Sequence, residues 1–273
     1  MIGAIVGDII GSIYEFDNIK TKDFELFDKR MEPTDDSILT IATADWLLHG
    51  GAPGEYYFRY ASAYPCPMGG YGPSFLNWVS RSKKGVAEPY NSCGNGSAMR
   101  VSPVGWVFDN EEETLAAAER SAECTHNHPE GIKGAQATAL CILMARNGAS
   151  PALIKERITH DYGYNLSLSI DEIRPRYSWQ GLDNAGDGAT CQGSVPQAIA
   201  CALQAKDFED AVRNAISIGG DSDTIACITG GIAEALFGIP QWIKEKAQSM
   251  LDDRQRLIVA EFCDTYCKRY TLI

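Results

Sequence analysis

Two short acidic motifs, PTDDS at residues 33–37 and GGDSDT at 219–224, hold the densest set of reactive side chains in the sequence. Thr34, Asp35, Asp36, Asp221, Asp223 and Thr224 together offer four carboxylates and two hydroxyls. These are hard oxygen donors of the kind that magnesium, manganese or calcium prefers. Each motif also opens an apolar run with helical spacing, so each reads equally as a helix start. Thr34 can cap its helix, with Asp35 and Asp36 in the first turn, where the helix dipole favours each negative charge by about 0.3–1 kcal/mol. The second motif reverses the order and adds Gly219 and Gly220, which permit backbone conformations and close approaches that a solvated cap does not need. If the two starts face each other, unit charges ~4 Å apart repel by about 4 kcal/mol per pair at an intermediate effective dielectric, more than the dipole returns. Convergence of the motifs would then all but require cations between them.

Two polar stretches lie between the acidic motifs. In YNSCGNGSAMRVSPVGW, residues 90–106, Gly94 and Gly96 flank Asn95 and lead through Ser97 into what reads as an apolar helix. Backbone N–H groups at such a junction suit a phosphate or pyrophosphate, and a plain turn fits the same residues. No GK[ST] follows and no strand precedes, so neither a Walker A loop nor a dinucleotide-binding βαβ unit is indicated. In CTHNHPEG, residues 124–131, His126 and His128 stand two apart at a helix junction. With four histidines in the chain and no matching cysteine cluster, lining a pocket or capping a helix is the better reading than zinc. No GxSxG elbow or cysteine-nucleophile signature supports covalent hydrolysis.

These motifs need a frame, and its periodicity is helical. Apolar residues recur at three- and four-residue steps, as in Ile225, Ile228, Ile232 and Leu236. The spacing predicts helices near 53–63, 74–82, 111–124, 130–146, 150–161, 194–205, 207–217, 240–251 and 253–269, besides those opened by the acidic motifs, with almost no sheet. Residues 64–73 and 178–193 break the rhythm with glycine, and are loops long enough to cover a cleft. Gly3, Gly7 and Gly11 put a stripe of bare backbone on the first helix, which implies close helix packing. That segment has no basic n-region, and Asp8 interrupts it well short of a ~20-residue span, so it is neither signal peptide nor membrane anchor.

At 273 residues and 45% hydrophobic composition the chain can bury a sizeable core, and no linker divides it, so one domain over 1–273 is expected. A formal net charge of −12 argues against a broad nucleic-acid surface or an anionic membrane partner. Nine cysteines without a CxxC pair read as reduced thiols of a cytoplasmic protein. Cys263 and Cys267 share a helix face, where buried packing is the expected role.

Taken in order, GAIVGDIIGSIYEF, PTDDS, GNGSAMRVSPVG, THNHP and GGDSDTIACITGGIAEALFG resemble the ADP-ribosylglycohydrolase family, which includes the dinitrogenase reductase-activating glycohydrolases and the ADP-ribosylhydrolases. The resemblance spans nearly the whole chain. It implies an all-α orthogonal multi-helix bundle holding two magnesium ions, or manganese, in a cleft. The implied ligands are Thr34, Asp35, Asp36, Asp221, Asp223 and Thr224. Glu15 matches the acidic residue near the substrate ribose, and Glu15 and Asp36 are the implied acid–base groups. Gly94, Asn95, Gly96, Ser97, Met99 and His126 would border ADP-ribose, with Gly219 and Gly220 admitting it closely.

The implied reaction is cleavage of the bond from C1″ of ADP-ribose to a protein side chain or small acceptor. A two-metal phosphate or pyrophosphate hydrolase and a non-catalytic ADP-ribose-binding module are the rival readings. MGGYGPSFLNWV, residues 68–79, lacks the aspartate that arginine-directed bacterial members often carry there. This argues against an arginine linkage and leaves serine-linked ADP-ribose, O-acetyl-ADP-ribose and an ADP-ribosylated nucleotide open.

Overall fold

The computed structural model describes residues 1–267. In chain order the elements are α1 (Ile2–Gly11), α2 (Asp35–His49), α3 (Pro53–Ala63), α4 (Pro73–Arg81), the single turns α5 (Gly96–Met99) and α6 (Val104–Val107), α7 (Glu111–Glu123) and α8 (Pro129–Arg146). There follow α9 (Pro151–Tyr162), the turn α10 (Ile170–Ile173), a hairpin of β1 (Tyr177–Ser178) and β2 (Gly181–Leu182), α11 (Cys191–Leu203), α12 (Phe208–Ile218), α13 (Ser222–Phe237), α14 (Gln241–Gln248) and α15 (Asp253–Phe262), closed by a π-turn at Cys263–Cys267. The fold is all-α, as the periodicity and the resemblance imply, and the antiparallel hairpin is the one sheet among the described residues. The buried apolar side chains form one continuous cluster.

α13 is the axis of the packing. Every residue from Ser222 to Ala233 is buried, and α1, α8, α11 and α12 all pack against it. A helix apolar on all sides has no solvent face and must be enclosed in this way. α1 makes the most extensive of these contacts, through the glycine stripe. A Cβ on Gly7 would stand 1.9 Å from Ala226 O, one on Gly3 2.2 Å from Gly230 O, and one on Gly11 2.4 Å from Asp223 Cα. Residue numbers rise along α1 as they fall along α13, so the two helices run antiparallel with backbones in direct contact. The C-terminal end of α1 therefore meets the N-terminal end of α13, where the second acidic motif lies.

The helix predictions hold with shifts that have local causes. α11 begins at Cys191 rather than 194, because Thr190 caps it by accepting from Gly193 N–H and Cys191 packs against the bare Gly134 of α8. Pro196 thus lies inside the helix rather than at its start. The apolar helix expected after GNG is two single turns, since Pro103 disfavours helical backbone at Ser102. The expected 253–269 helix is α-helical to Phe262 and ends in the π-turn, where Cys263 and Cys267 are half-buried rather than buried; positions 268 and 269 lie outside the described residues. No disulfide is formed among the described residues, and no helix among them is long and apolar enough to cross a membrane.

Gly7→Ala is expected to destabilise the protein by about 3 kcal/mol or more through overpacking. Gly186→Ala, whose Cβ would meet nothing within 4 Å, should change stability by no more than about 0.5 kcal/mol. Urea denaturation of the two variants beside wild type measures both; equal midpoints would remove the close-contact account.

Candidate active site

α1 also positions the first acidic motif, through Asp8. This fully buried carboxylate accepts from the backbone N–H of Thr34 at 3.0 Å and of Ser37 at 3.1 Å, and from both hydroxyls. These donors are the orphan groups of the α2 N-terminus, so α1 itself supplies the cap that solvent or a local side chain otherwise provides. Thr34 completes the cap by accepting from Asp36 N–H at 3.2 Å. With the cap donors engaged by Asp8, Asp35 and Asp36 point into a cavity.

The second motif is aimed by a glycine turn. Gly219 and Gly220 have φ of +68° and +76°, a region that L side chains rarely adopt. A Cβ on Gly220 would lie 2.5 Å from the Tyr177 ring. Asn18 clamps this turn, accepting from Gly220 N–H at 2.7 Å and donating to Gly220 O at 2.9 Å and to Tyr14 O at 2.7 Å. The turn is thereby tied to the segment that carries Glu15. Lys20 adds a second tie, donating to Tyr177 O at 2.6 Å and to Ile218 O.

The two acidic motifs meet on a cavity of about 600 Å³. Asp35 and Asp36 line it from one helix start, Asp221, Asp223 and Thr224 from the other, and Glu15 from the segment after α1. One carboxylate oxygen from each of Glu15, Asp221 and Asp223 lies within 4.8 Å of the other two. Glu15, which the resemblance sets beside the substrate ribose, thus also belongs to the tightest oxygen cluster. Gly69, with φ of +76°, makes room for it: a Cβ there would stand 2.6 Å from Glu15 Oε2. Trp179 Nε1 holds the same residue by donating to Glu15 O at 3.0 Å.

Burial and mutual repulsion shape the protonation of these groups. Glu15 is pushed up to about 8 by desolvation and then by Asp223 and Asp8. Asp221 is raised to about 6 by burial, against the lowering effect of hydrogen bonds from Asp223 and Asn95. Burial and neighbouring carboxylates hold Asp35, Asp36 and Asp223 well above the usual range, with Asp223 the largest charge acting on both members of the first motif. Asp8 rises to about 6 through burial, opposed by its hydrogen bonds to Ser37 and Thr34. Glu15 Oε2 and Asp36 Oδ2 are buried without a hydrogen-bond partner. An oxygen-only set of crowded, partnerless carboxylates fits hard divalent cations, which would relieve the repulsion and satisfy the orphan oxygens.

A further part of the wall comes from the polar middle of the chain. Gly94, Asn95, Gly96, Met99 and His126 all border the cavity. Asn95 donates from Nδ2 to Asp221 Oδ2 at 2.8 Å, joining the GNG loop to the acidic cluster. The loop backbone is stitched to the 178–193 segment by Asn95 N–H to Ala189 O and Cys191 N–H to Cys93 O, both 2.9 Å. His126 is kept neutral by burial and by the nearby Arg100, and shares a 2.8 Å hydrogen bond from Nδ1 with Thr125 Oγ1. His128, by contrast, caps α8, its Nδ1 accepting from Glu130 N–H at 3.1 Å. Both glycine-rich loops wall the cavity, one through Gly69 to Gly72 and the other through Trp179, Asp187 and Ala189.

Four of the expected site residues do not border the cavity. Thr34 is fully buried, with its hydroxyl hydrogen committed to Asp8. Ser97 is fully buried and donates to Gly131 O at 2.7 Å, which fixes the GNG turn on α8. Gly219 and Gly220 shape the turn beneath Asp221 and are not part of the cavity lining. Sequence reasoning passed over Asp8, which looked like a break in an apolar run, and Asn18, whose clamp reaches 202 residues along the chain. A lone carboxylate in the middle of an otherwise apolar helix is the signal that would have found Asp8, because such a group must be paired.

Because these carboxyls hold their protons to higher pH in the folded chain than in the unfolded one, the folded state binds more protons between about pH 4 and pH 8. Stability of the metal-free protein therefore falls as pH rises through that window. Scanning fluorimetry is expected to show a lower melting temperature at pH 8 than at pH 5, and a larger rise on adding magnesium at pH 8. Identical magnesium shifts at the two pH values would contradict this electrostatic account.

Comparison with known proteins agrees with this geometry. The sequence matches the ADP-ribosylglycohydrolase family over residues 1–270. ADP-ribosylhydrolase ARH3 of Homo sapiens is 29% identical, the alignment covering 88% of this chain and 85% of that protein. ADP-ribosylarginine hydrolase Tri1 of Pseudomonas putida is 23% identical over 91% of this chain and 73% of its own length. A solved structure of an ADP-ribosylglycohydrolase-related protein complex superposes with a TM-score of 0.67 at 20% identity, covering 96% of this chain and 95% of that one, and so shares the fold. With the family match running almost end to end, the chain belongs to the ADP-ribosylglycohydrolase family and is an ADP-ribosyl hydrolase, a glycosidase.

Proposed function

We propose that the protein is a divalent-metal-dependent hydrolase that cleaves the bond between C1″ of ADP-ribose and a protein side chain or small acceptor, releasing ADP-ribose. The observation that carries this reading is the meeting of two distant acidic motifs on one cavity that the GNG loop and His126 also line. Asp35, Asp36, Asp221, Asp223 and Thr224 are the residues that would hold two magnesium ions, or manganese. Thr34 can add only the lone pair left over from its capping bond. When bound, such ions supply Lewis-acid polarisation of a water and of the ribose hydroxyls beside C1″.

The chain's own residues account for the remaining steps. Glu15 is the proton carrier: its Oε2 is buried, has no hydrogen-bond partner and stands beside Asp223. Water oxygen bonds to C1″ as the bond to the acceptor breaks; Glu15, in the carboxylate form that nearby cations would favour, takes the proton from that water and hands it to the departing acceptor atom. Asp36, crowded by Asp223, Asp35 and Asp8, serves better as a ligand than as a base. The neutral His126, with the GNG backbone against it, offers Nε2 to the ligand without adding a charge. A Gly96 Cβ would lie 3.1 Å from that nitrogen, so a side chain at 96 would crowd it.

On the acceptor side, residues 68–79 bring Gly69, Gly70, Tyr71 and Phe75 to the cavity and no carboxylate. This supports an acceptor other than arginine, with serine-linked ADP-ribose, O-acetyl-ADP-ribose and an ADP-ribosylated nucleotide as the substrates to compare.

Mass spectrometry of products from these substrates and from an ADP-ribosylated arginine peptide, with magnesium or manganese, is expected to show intact ADP-ribose; AMP would instead indicate a pyrophosphate hydrolase and overturn the reading. Asp223→Ala should abolish turnover together with the magnesium-dependent rise in melting temperature. Glu15→Gln should lower kcat by about 10²-fold or more while keeping that rise. Wild-type turnover in both variants would remove these roles.

A further inference from the structure

The GNG turn is followed by Arg100, a residue that the reaction as described leaves unused. Its side chain is fully buried, which is uncommon for an arginine that lacks an acid partner. Nη2 donates to Ser121 O and to Thr125 Oγ1, both at 2.7 Å, and the guanidinium lies 3.9 Å from the centre of the Tyr57 ring. All of these neighbours are neutral. Nε and Nη1 have no hydrogen-bond acceptor, and no carboxylate among the described residues lies within ion-pairing distance. Arg100 borders the cavity together with Met99, Tyr90 and His126.

A buried cation with no counter-charge sets up a field that low-dielectric surroundings screen weakly. That field already acts on the wall, where Arg100 adds to burial in keeping His126 unprotonated. The cavity lining is thus polarised, with the carboxylates of Glu15, Asp35, Asp36, Asp221 and Asp223 on one part of it and the fixed positive charge of Arg100 beside Tyr90 and His126 on another. A nucleotide sugar matches this polarity if its diphosphate lies on the Arg100 side and its terminal ribose on the carboxylate side.

We propose that Arg100 is a positioning residue: its uncompensated charge draws the diphosphate to the GNG and His126 wall and so directs C1″ toward the acidic cluster. This inference rests on the function proposed above, since it takes ADP-ribose as the ligand.

The test uses the whole chain and isothermal titration with ADP-ribose and with adenosine, which lacks the phosphates. Arg100→Gln removes the charge and can still donate to Ser121 O. It is expected to weaken ADP-ribose binding about tenfold, to change adenosine binding less than twofold, and to melt close to wild type. Arg100→Lys restores the charge and should recover most of the loss. Cys124→Asp leaves Arg100 in place and sets a carboxylate where Sγ now lies 4.0 Å from Nη2; by pairing the charge it should also weaken ADP-ribose binding several-fold. Should Arg100→Gln fail to fold, the Cys124→Asp result decides. Equal losses for both ligands, or ADP-ribose affinity unchanged in whichever variant folds, would overturn the role of Arg100 while leaving the proposed function standing. Failure of wild type to bind ADP-ribose would remove the proposed function, and this inference with it.

Discussion

The site depends on one contact, the backbone-to-backbone packing of α1 on α13. Three glycines let α1 approach until its Cα positions nearly touch the main chain of Ala226 and Gly230. At this separation the end of α1 delivers Glu15 beside Asp221 and Asp223. One turn earlier, Asp8 reaches the start of α2 and holds it by its exposed donors. A single ten-residue helix therefore sets the distance between two motifs that are almost 190 positions apart in the sequence. A methyl group on the contact face would spread the carboxylates as surely as a change in the carboxylates themselves.

This arrangement runs against the ordinary economics of a protein interior. Buried carboxylates repel, and the chain offsets this only in part, with the Asp8 cap bonds and the Asn95 bond to Asp221. The remaining repulsion is a local cost accepted at a functional site and balanced by packing elsewhere. α13 supplies that balance, being enclosed along twelve consecutive residues from Ser222 to Ala233. Rigid enclosure also keeps the carboxylates from separating to lower their energy.

Much of this was legible in the sequence, because helical periodicity and acidic first turns are local signals. The glycine stripe foretold close packing, and both acidic motifs stand where a ligand could meet them. What was not legible was long-range. Nothing in the sequence shows that Asn18 and Gly220 touch, and the paired glycines before Asp221 read as room for a substrate when they are a turn conformation. Thr34 looked like a free ligand because the partner of its hydroxyl, Asp8, lies on another helix. Ser97 misled for the same reason, its partner being the backbone of Gly131. Arg100 sits in an apolar stretch where a cation suggests surface, and only burial without a counter-charge sets it apart.

The antiparallel seating of α1 on α13 bears on how the chain is made. α1 leaves the ribosome before the helix it must lie against, Ser222–Phe237, so the helices between them are synthesised before the pair can form. Until then the glycine stripe faces solvent or passing chaperones, and Asp8, Asp35 and Asp36 remain far from Asp221 and Asp223. The full electrostatic conflict needs both acidic motifs, so it cannot exist until α13 has emerged and packs on α1. The complete acidic centre is therefore a marker of that packing, absent from any truncated product that stops short of α13.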